Sequence, residues 1–245
     1  MKYMGSKSRI AKDIVPIIQE YVDKYDRYLE PFCGGCNVID KIKASKKIAS
    51  DKNKYLITLW KHIQEGNNLL DTVSRELYND VRSNQNTNKY EDWIVGNVGF
   101  LASYNGRWFD GGYAQSGYEK TKNGERYRDY YNEAKQNILK QVNSIKDIEF
   151  LNQDYIYFYP VNFVIYCDPP YVNTKQYANS KNFDYEIFWE TMREWSKRNV
   201  VLISEQNAPD DFECIWQQEV SRSIKANDKS KSVEKLFILR EEKFK

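Results

Sequence analysis

The 245-residue chain is 41% hydrophobic and 29% charged with a formal net charge of +2, and its length suits one domain with a sizeable core, with or without an insertion. This composition excludes collagen-like, coiled-coil and disulfide-scaffold proteins, and no apolar run reaches the roughly 20 residues that a membrane span needs. With one His and four Cys, we expect a reduced, cytoplasmic protein that has no export signal and binds no metal.

The first part of the chain predicts the beginning of a parallel α/β sheet. Apolar residues at helical spacing indicate a helix over 10–22. A strand at 28–30, a Gly-rich turn at 31–35, a helix at 37–44 and a strand at 47–50 are predicted next. This order of strand, turn, helix and strand is typical of a parallel α/β sheet.

The middle of the chain is predicted to be helical. Helices are expected over 55–64, 69–81 and 90–104. The Gly- and aromatic-rich segment 104–117 indicates an exposed hairpin or loop, and a polar helix is expected over 126–142.

The last part of the chain returns to alternating strands and a helix. The predicted elements are strands at 148–150, 162–167, 200–204, 214–223 and 235–239, and a helix at 184–197. We therefore expect one α/β domain made of residues 1–54 and 147–245, divided by a helical insertion over residues 55–146.

The tetrapeptide Asp168-Pro169-Pro170-Tyr171 follows a predicted buried strand. Because two prolines cannot continue a sheet, the chain must leave it at the carboxyl edge, where open α/β sheets bind ligands. One carboxylate, backbone carbonyls and an aromatic ring suit an exocyclic amine on a flat heterocycle. The same residues also fit an ordinary turn that ends a strand.

Segment 30–36 (EPFCGGC) connects the first predicted strand to a helix. Its two glycines let a ligand approach the backbone, and the helix N-terminus adds N–H donors. Asp51, at the end of the next strand, can accept from both ribose hydroxyls of an adenosine-containing cofactor or can cap a helix. The spacing of Cys33 and Cys36 leaves a thiol redox pair as an alternative.

Five motifs in one order resemble the Dam-type (D12 class) adenine-N6 DNA methyltransferases: KYMGSK at 2–7, EPFCGGCN at 30–37, SDKN at 50–53, DY at 154–155 and DPPY at 168–171. The resemblance spans nearly the whole chain. It implies a class I S-adenosylmethionine methyltransferase with a Rossmann-like α/β fold and a small helical target-recognition insertion. It also implies S-adenosylmethionine as cofactor and double-stranded DNA as partner. A monomer is the default expectation for the oligomeric state. A restriction–modification role is one setting for such an enzyme, and the sequence leaves open whether a restriction partner exists and whether the source is a bacterium or a phage-infected cell.

The resemblance implies a cofactor site at the first strands. Its members are Tyr3, Lys7, Phe32, Gly34, Gly35, Asp51, Asp154 and Tyr155. Tyr3 would lie along the cofactor, with Lys7 near its carboxylate. Phe32 and the two glycines would contact the methionine part, and Asp51 the ribose hydroxyls. Asp154 would accept from the adenine amine, and Tyr155 would pack on that ring.

The resemblance also implies a catalytic pocket of Asp168, Pro169, Pro170 and Tyr171, which would hold a flipped-out adenine. The residues expected to contact DNA are Lys2, Asn105, Arg107, Lys229 and Lys231. The two C-terminal lysines can touch phosphates or can belong to a solvated hairpin tip. After Gly106 the segment departs from the hairpin pattern of the family's GATC readers.

Other functions remain open at this point. The same pocket could methylate cytosine N4, adenine in RNA or a glutamine side chain, although Asp168 instead of Ser or Asn favours adenine by resemblance. A homologue that binds nucleic acid without catalysis is a further alternative. The intact Asp51, Asp154, Asp168 and Tyr171 argue against it.

Overall fold

A computed structural model describes residues 1–121, 124–170, 183–221 and 231–240 of the chain. The described helices are α1 (Ala11–Tyr25), α2 (Lys54–Gln64), α3 (Arg75–Ser83), α4 (Asp92–Gly96), α5 (Tyr130–Leu139) and α6 (Tyr185–Ser196). The strands are β1 (Arg27–Glu30), β2 (Lys46–Asp51), β3 (Gly117–Thr121), β4 (Gly124–Arg128), β5 (Ile148–Asn152), β6 (Val164–Cys167), β7 (Val200–Glu205), β8 (Phe212–Ser221) and β9 (Lys231–Leu239).

Seven strands form one mostly parallel sheet in the order β5-β2-β1-β6-β7-β9-β8. The first five strands of this order run parallel, and β9 runs antiparallel to both of its neighbours. The strand order reverses between β1 and β6, and such a switch point opens a crevice at the carboxyl ends of the strands. This topology confirms the predicted Rossmann-like α/β fold.

Helices cover both faces of the sheet, which explains why its central strands are apolar on both sides. On one face, Ile14, Ile18 and Val22 of α1 repeat every four residues and are fully buried. On the other face, Phe188 and Met192 of α6 are fully buried in a second apolar cluster. The two layers fix the carboxyl edge of the sheet, where the candidate site lies.

One predicted helix is wrong in kind, and two other predicted segments are only partly correct. Segment 37–44 contains only a 3₁₀ turn, Ile39–Lys41, because the chain is already extended at Ile42. Segment 104–117 is a loop, one of the two predicted alternatives, but it is not fully exposed because Phe109 is buried. It holds a 3₁₀ turn at Tyr104–Gly106, and a single bridge joins Ser103 to Tyr113. The insertion contains a hairpin formed by β3 and β4. Strand β4 extends over the first residues of the helix predicted at 126–142. Helix α5 begins after Asp129, whose side chain caps it.

The segment between β2 and β5 contains α2 to α5 and the β3–β4 hairpin. Helix α2 packs on the sheet, where the Trp60 ring stacks on Phe150 of β5 at a centroid distance of 6.0 Å. After α4 the chain continues as a π-helix, Asn97–Leu101, instead of the single long helix predicted over 90–104. No helix in the described ranges is long and apolar enough to cross a membrane.

Candidate functional site

Asp168 stands directly after β6, at the carboxyl edge of the sheet. Its Oδ1 atom lies 2.8 Å from the Nζ of Lys7, and the same ammonium lies 3.6 Å from the Oε2 of Glu234 in β9. Burial raises the pKa of Asp168 to about 6, although the Lys7 charge lowers it. The side chain is therefore mainly a carboxylate at neutral pH and can accept hydrogen bonds from an amine.

Lys7 belongs to a 3₁₀ turn, Lys7–Arg9, that Ser6 caps by accepting from the Ser8 amide. Its side chain is 7% exposed, so the chain buries this ammonium beside the Asp168 carboxylate. The predicted contact of Lys7 with a cofactor carboxylate stays a prediction, and the structure gives Lys7 protein partners. Sequence reasoning missed the Lys7–Asp168 pair because most of the chain separates the two residues.

The backbone of the Asp-Pro-Pro turn is held by a residue that sequence reasoning also missed. The Tyr185 hydroxyl donates to the Pro170 carbonyl. Tyr185 is the first residue of α6, and Asp184 caps that helix by accepting from the amide of Ile187 at 3.0 Å. Pro169 is buried in the same turn, and Tyr171 lies outside the described residues. The aromatic-rich start of α6 was the only sequence signal for this contact.

Asp51 joins the end of β2 to the loop after β1. Its Oδ2 accepts from the Gly34 amide at 3.3 Å and its Oδ1 from the Asn53 amide at 2.9 Å. Burial raises the pKa of Asp51 to about 6. Asn53, not Asp51, caps α2. The Asp51 carboxylate therefore keeps lone pairs that a pair of hydroxyls could use.

The two glycines of the loop make room for the N-terminal segment. Gly34 has φ +44°, and a Cβ there would lie 2.8 Å from Cε1 of Tyr3. A Cβ on Gly35 would lie 2.6 Å from Nδ2 of Asn37 and 2.8 Å from Cβ of Tyr3. Packing against Tyr3 thus requires both glycines, and their expected contact with the methionine part of a cofactor stays a prediction.

Several aromatic rings pack together at the loop that follows β1. The rings of Phe32 and Tyr155 have centroids 5.1 Å apart, and Phe183 lies 6.1 and 5.7 Å from them. Asp154 caps the 3₁₀ turn Tyr155–Tyr157 by accepting from the Ile156 amide. Asp51 ends β2 and Asp154 follows β5, so two carboxylates and a group of aromatic rings lie at the carboxyl edge of the sheet. This set of groups suits the adenosine part of S-adenosylmethionine.

The thiols near the site do not fit redox chemistry. Cys33, Cys36 and Cys167 are buried, and burial raises the pKa of each thiol above its ordinary value. Cys214 is the exposed thiol. Among the residues that the structure describes, no group of three or more His, Cys, Asp or Glu side chains is arranged to hold a metal ion.

Of the residues predicted to contact DNA, Lys2, Asn105 and Arg107 are described with their side chains, and the two C-terminal lysines are not. Gly106, with φ +67°, approaches the Lys2 carbonyl so closely that a Cβ would lie 2.5 Å from it. The Arg107 Nε donates to the Met4 sulfur at 3.2 Å. Asn105 lines a small cavity with Lys2. Lys229 lies outside the described residues, and only the backbone of Lys231 is described, at the start of β9.

Comparison with known proteins identifies a family and individual similar proteins. The family model of the D12 class N6 adenine-specific DNA methyltransferases matches residues 3–212. The Type II methyltransferase M.FokI of Planomicrobium okeanokoites is 23% identical over 217 residues, which are 79% of this chain and 32% of the relative. The chain thus spans about a third of the length of that relative. The crystal structure of HI0767 from Haemophilus influenzae, a protein assigned to the methylases, aligns with a TM-score of 0.34 and 11% identity over 94% of this chain and 99% of that one.

Proposed function

Because the chain belongs to the D12 class of N6 adenine-specific DNA methyltransferases, we propose that it transfers a methyl group from S-adenosylmethionine to the N6 amine of adenine in double-stranded DNA. The observation that carries the proposal is the Asp168 carboxylate, held by Lys7 at the switch point of the sheet. A carboxylate followed by proline carbonyls is the acceptor set that an exocyclic amine needs.

The chemical difficulty of the reaction lies in the amine. The N6 lone pair of adenine is delocalised into the ring, so the nitrogen is a weak nucleophile. Asp168 and the Pro169 carbonyl would accept its two N–H bonds, which favours a pyramidal nitrogen with its lone pair directed away from them. The carboxylate would also stabilise the positive charge that develops on this nitrogen. Removing one such preorganised group typically costs about 10²–10³ in rate.

Two residues would keep this acceptor set in place. The Lys7 ammonium favours the ionised form of Asp168, which is the form that accepts an N–H. The Tyr185 hydroxyl holds the Pro170 carbonyl and so limits the rotation of the turn that carries the Pro169 carbonyl. Both are positioning residues, since neither needs to touch the reacting atoms.

The cofactor would lie across the ends of β1, β2 and β5. S-adenosylmethionine supplies an electrophilic methyl group on a sulfonium. Asp51 would accept from its ribose hydroxyls, and Asp154 from its adenine amine. Phe32 and Tyr155 would pack on the adenine ring. Tyr3 would lie beside this site, where it already packs on Gly34.

The target adenine has its N6 inside the duplex, so the base must leave the helix to reach Asp168. Tyr171 is proposed to stack on it. Lys2, Asn105 and Arg107 would contact the DNA beside the pocket, since Asn105 shares a cavity with Lys2 and Arg107 contacts Met4 of the same N-terminal segment. We assign target recognition to the insertion over residues 55–146.

A substrate panel tests the proposal. Purified protein and labelled S-adenosylmethionine are incubated with unmethylated duplex DNA, single-stranded DNA, RNA or protein, and the products are separated as nucleosides or amino acids. N6-methyladenine from duplex DNA is the expected product. N4-methylcytosine, methylation of RNA or methylglutamine as the main product would overturn the substrate assignment.

A further inference from the structure

A polar groove of about 410 Å³ lies on the insertion, between strand β4 and helix α5. Its lining residues are all charged or carboxamide-bearing: Arg126, Arg128, Asn132, Glu133, Gln136, Asn137 and Lys140. Small-molecule sites are lined mainly by apolar side chains. A groove with three cations, three carboxamides and one carboxylate is instead typical of a surface that meets the edges and phosphates of a nucleic acid.

Helix α5 lines this groove with a regular stripe of polar side chains. Asn132, Gln136 and Lys140 follow one another at intervals of four residues, so they lie on one face of the helix, and all three are exposed. The opposite face is buried through Tyr131 and Ile138. The helix is therefore anchored by one side and offers carboxamides to the solvent on the other, the arrangement of a helix that can enter a major groove.

Strand β4 adds two arginines to the wall of the groove. Arg126 and Arg128 are two positions apart and so point to the same face of the hairpin. Arg128 is fixed by an ion pair with Glu133, in which its Nε donates to Oε1 at 2.9 Å, and by a longer contact with Glu119. Arg126 is exposed. One arginine is thus rigidly held, and the other is directed outward next to the carboxamide stripe.

The groove is connected to the catalytic edge through the N-terminal segment. Helix α5 contributes Tyr130 and Ala134 to a small cavity that Lys2 also lines. Lys2 belongs to the same short segment as Lys7, which is paired with Asp168. A duplex that contacts the groove can therefore extend past Lys2 toward the catalytic carboxylate.

The segment first expected to probe DNA is placed differently. Phe109 is 3% exposed and packs against Tyr78 and Trp108, with ring centroids 5.4 and 4.9 Å away. Gly106 lies against the Lys2 backbone. Inserting Phe109 between base pairs would require removing its ring from the core of the insertion, whereas exposed Asn105 and Arg107 can contact DNA from where they lie. The groove on β4 and α5 needs no such rearrangement.

We propose that the β4–α5 groove reads base edges of the recognition sequence in the major groove of DNA, with Arg126 and Gln136 as specificity-determining residues. This inference rests on the proposed function, because it assigns the target reading of the same enzyme. Arginine suits the two acceptors of guanine, and a glutamine carboxamide suits the donor and acceptor of adenine. Lys140 lies at the far end of the stripe and suits a phosphate.

The test is a methylation-specificity profile. Wild-type protein, Arg126→Ala and Gln136→Ala methylate a randomised duplex library with S-adenosylmethionine, and the sequences around each N6-methyladenine are determined. Each variant is expected to lose about tenfold or more of its preference at one base position, and the two positions should differ. Arg198→Ala is the matched control, because this exposed arginine precedes β7 at the opposite edge of the sheet and should leave the profile unchanged.

A second variant keeps the shape of the side chain and changes its chemistry. Gln136→Glu replaces a donor–acceptor pair by acceptors alone, so the preference at its position should shift toward cytosine, whose major-groove edge donates. If the wild type methylates adenine and every groove variant keeps the wild-type specificity profile, the groove assignment is overturned and the proposed function stays intact. Absence of N6-methyladenine with the wild type would overturn both.

Discussion

Replacing Lys7 by Met should move the activity of the protein to higher pH. The substitution keeps an unbranched side chain that is one atom shorter, and it removes the charge that lies 2.8 Å from Asp168. Burial raises the pKa of Asp168 to about 6, and the Lys7 ammonium is the main influence that lowers it. Because an opposite charge at this range lowers a carboxyl pKa by about 1–3, the pKa of Asp168 should rise to about 7–9 in the variant.

The size of the effect follows from the ionised fraction of Asp168. The carboxylate is the active form, and a raised pKa means that it forms only at higher pH. At pH 7 its population should fall from about nine-tenths to between about one-half and one-hundredth. The value of kcat/KM at pH 7 should therefore drop by between about twofold and a hundredfold, and it should recover as the pH rises toward 9.

The assay is the initial rate of methyl transfer to duplex DNA from pH 6 to 9.5 at saturating cofactor. Lys12→Met is the matched control, since Lys12 is exposed on α1, and its profile should coincide with that of the wild type. If Lys7→Met lowers the rate by the same factor at every pH, Lys7 has a structural role only and the reasoning about Asp168 is refuted.

Three further perturbations follow from the contacts of the site. In urea titrations, Gly34→Ala should lower the free energy of unfolding by about 1–3 kcal/mol more than Gly66→Ala does. Both glycines have positive φ, but only a Cβ at position 34 meets a neighbouring ring. Equal losses of stability in the two variants would contradict this. Tyr185→Phe should lower kcat about fivefold to tenfold without changing cofactor Kd, since it removes the hydrogen bond to the catalytic turn, and a change in Kd alone would be the contrary result. Iodoacetamide should alkylate exposed Cys214 before buried Cys33 in peptide mass maps, and the reverse order would show that burial does not protect the loop thiol.

The sequence carried enough information to predict the sheet and its functional edge. Asp51 ends β2 and Asp168 directly follows β6, and the carboxyl ends of these parallel strands meet at one edge of the sheet. The two residues could thus be assigned to one site from local patterns alone. The sequence left two roles open for Asp51, a ribose contact or a helix cap, and the side-chain geometry shows that Asn53 caps α2 instead.

Contacts between distant segments could not be predicted. The Lys7–Asp168 pair and the Tyr3–Gly34 contact depend on how the N-terminal segment crosses the sheet edge, and no local periodicity records that path. The same holds for Tyr185, which reaches Pro170 from the next helix.

The hairpin of the insertion was misplaced for a local reason. Segment 124–128 (GERYR) has only one apolar side chain in five positions, which is too few to separate a strand from the first turn of a helix by periodicity. Gly124, with φ +113°, is the first residue of β4, and Asp129 caps α5, so the strand lies between two strong signals. The aromatic-rich segment 104–117 attracted the hairpin prediction, although those rings are partly in the core of the insertion.

The most direct test of the central claim separates the chemistry of Asp168 from cofactor binding. Single-turnover methyl transfer to duplex DNA and the equilibrium Kd for S-adenosylmethionine are measured for the wild type and for Asp168→Asn, which keeps the shape of the side chain. We expect the rate to fall by about 10²-fold or more, as for the loss of a preorganised charge-stabilising group, with the Kd unchanged. An unchanged rate, or an equal loss of rate and cofactor affinity, would contradict the assignment of Asp168 as the residue that holds the target amine.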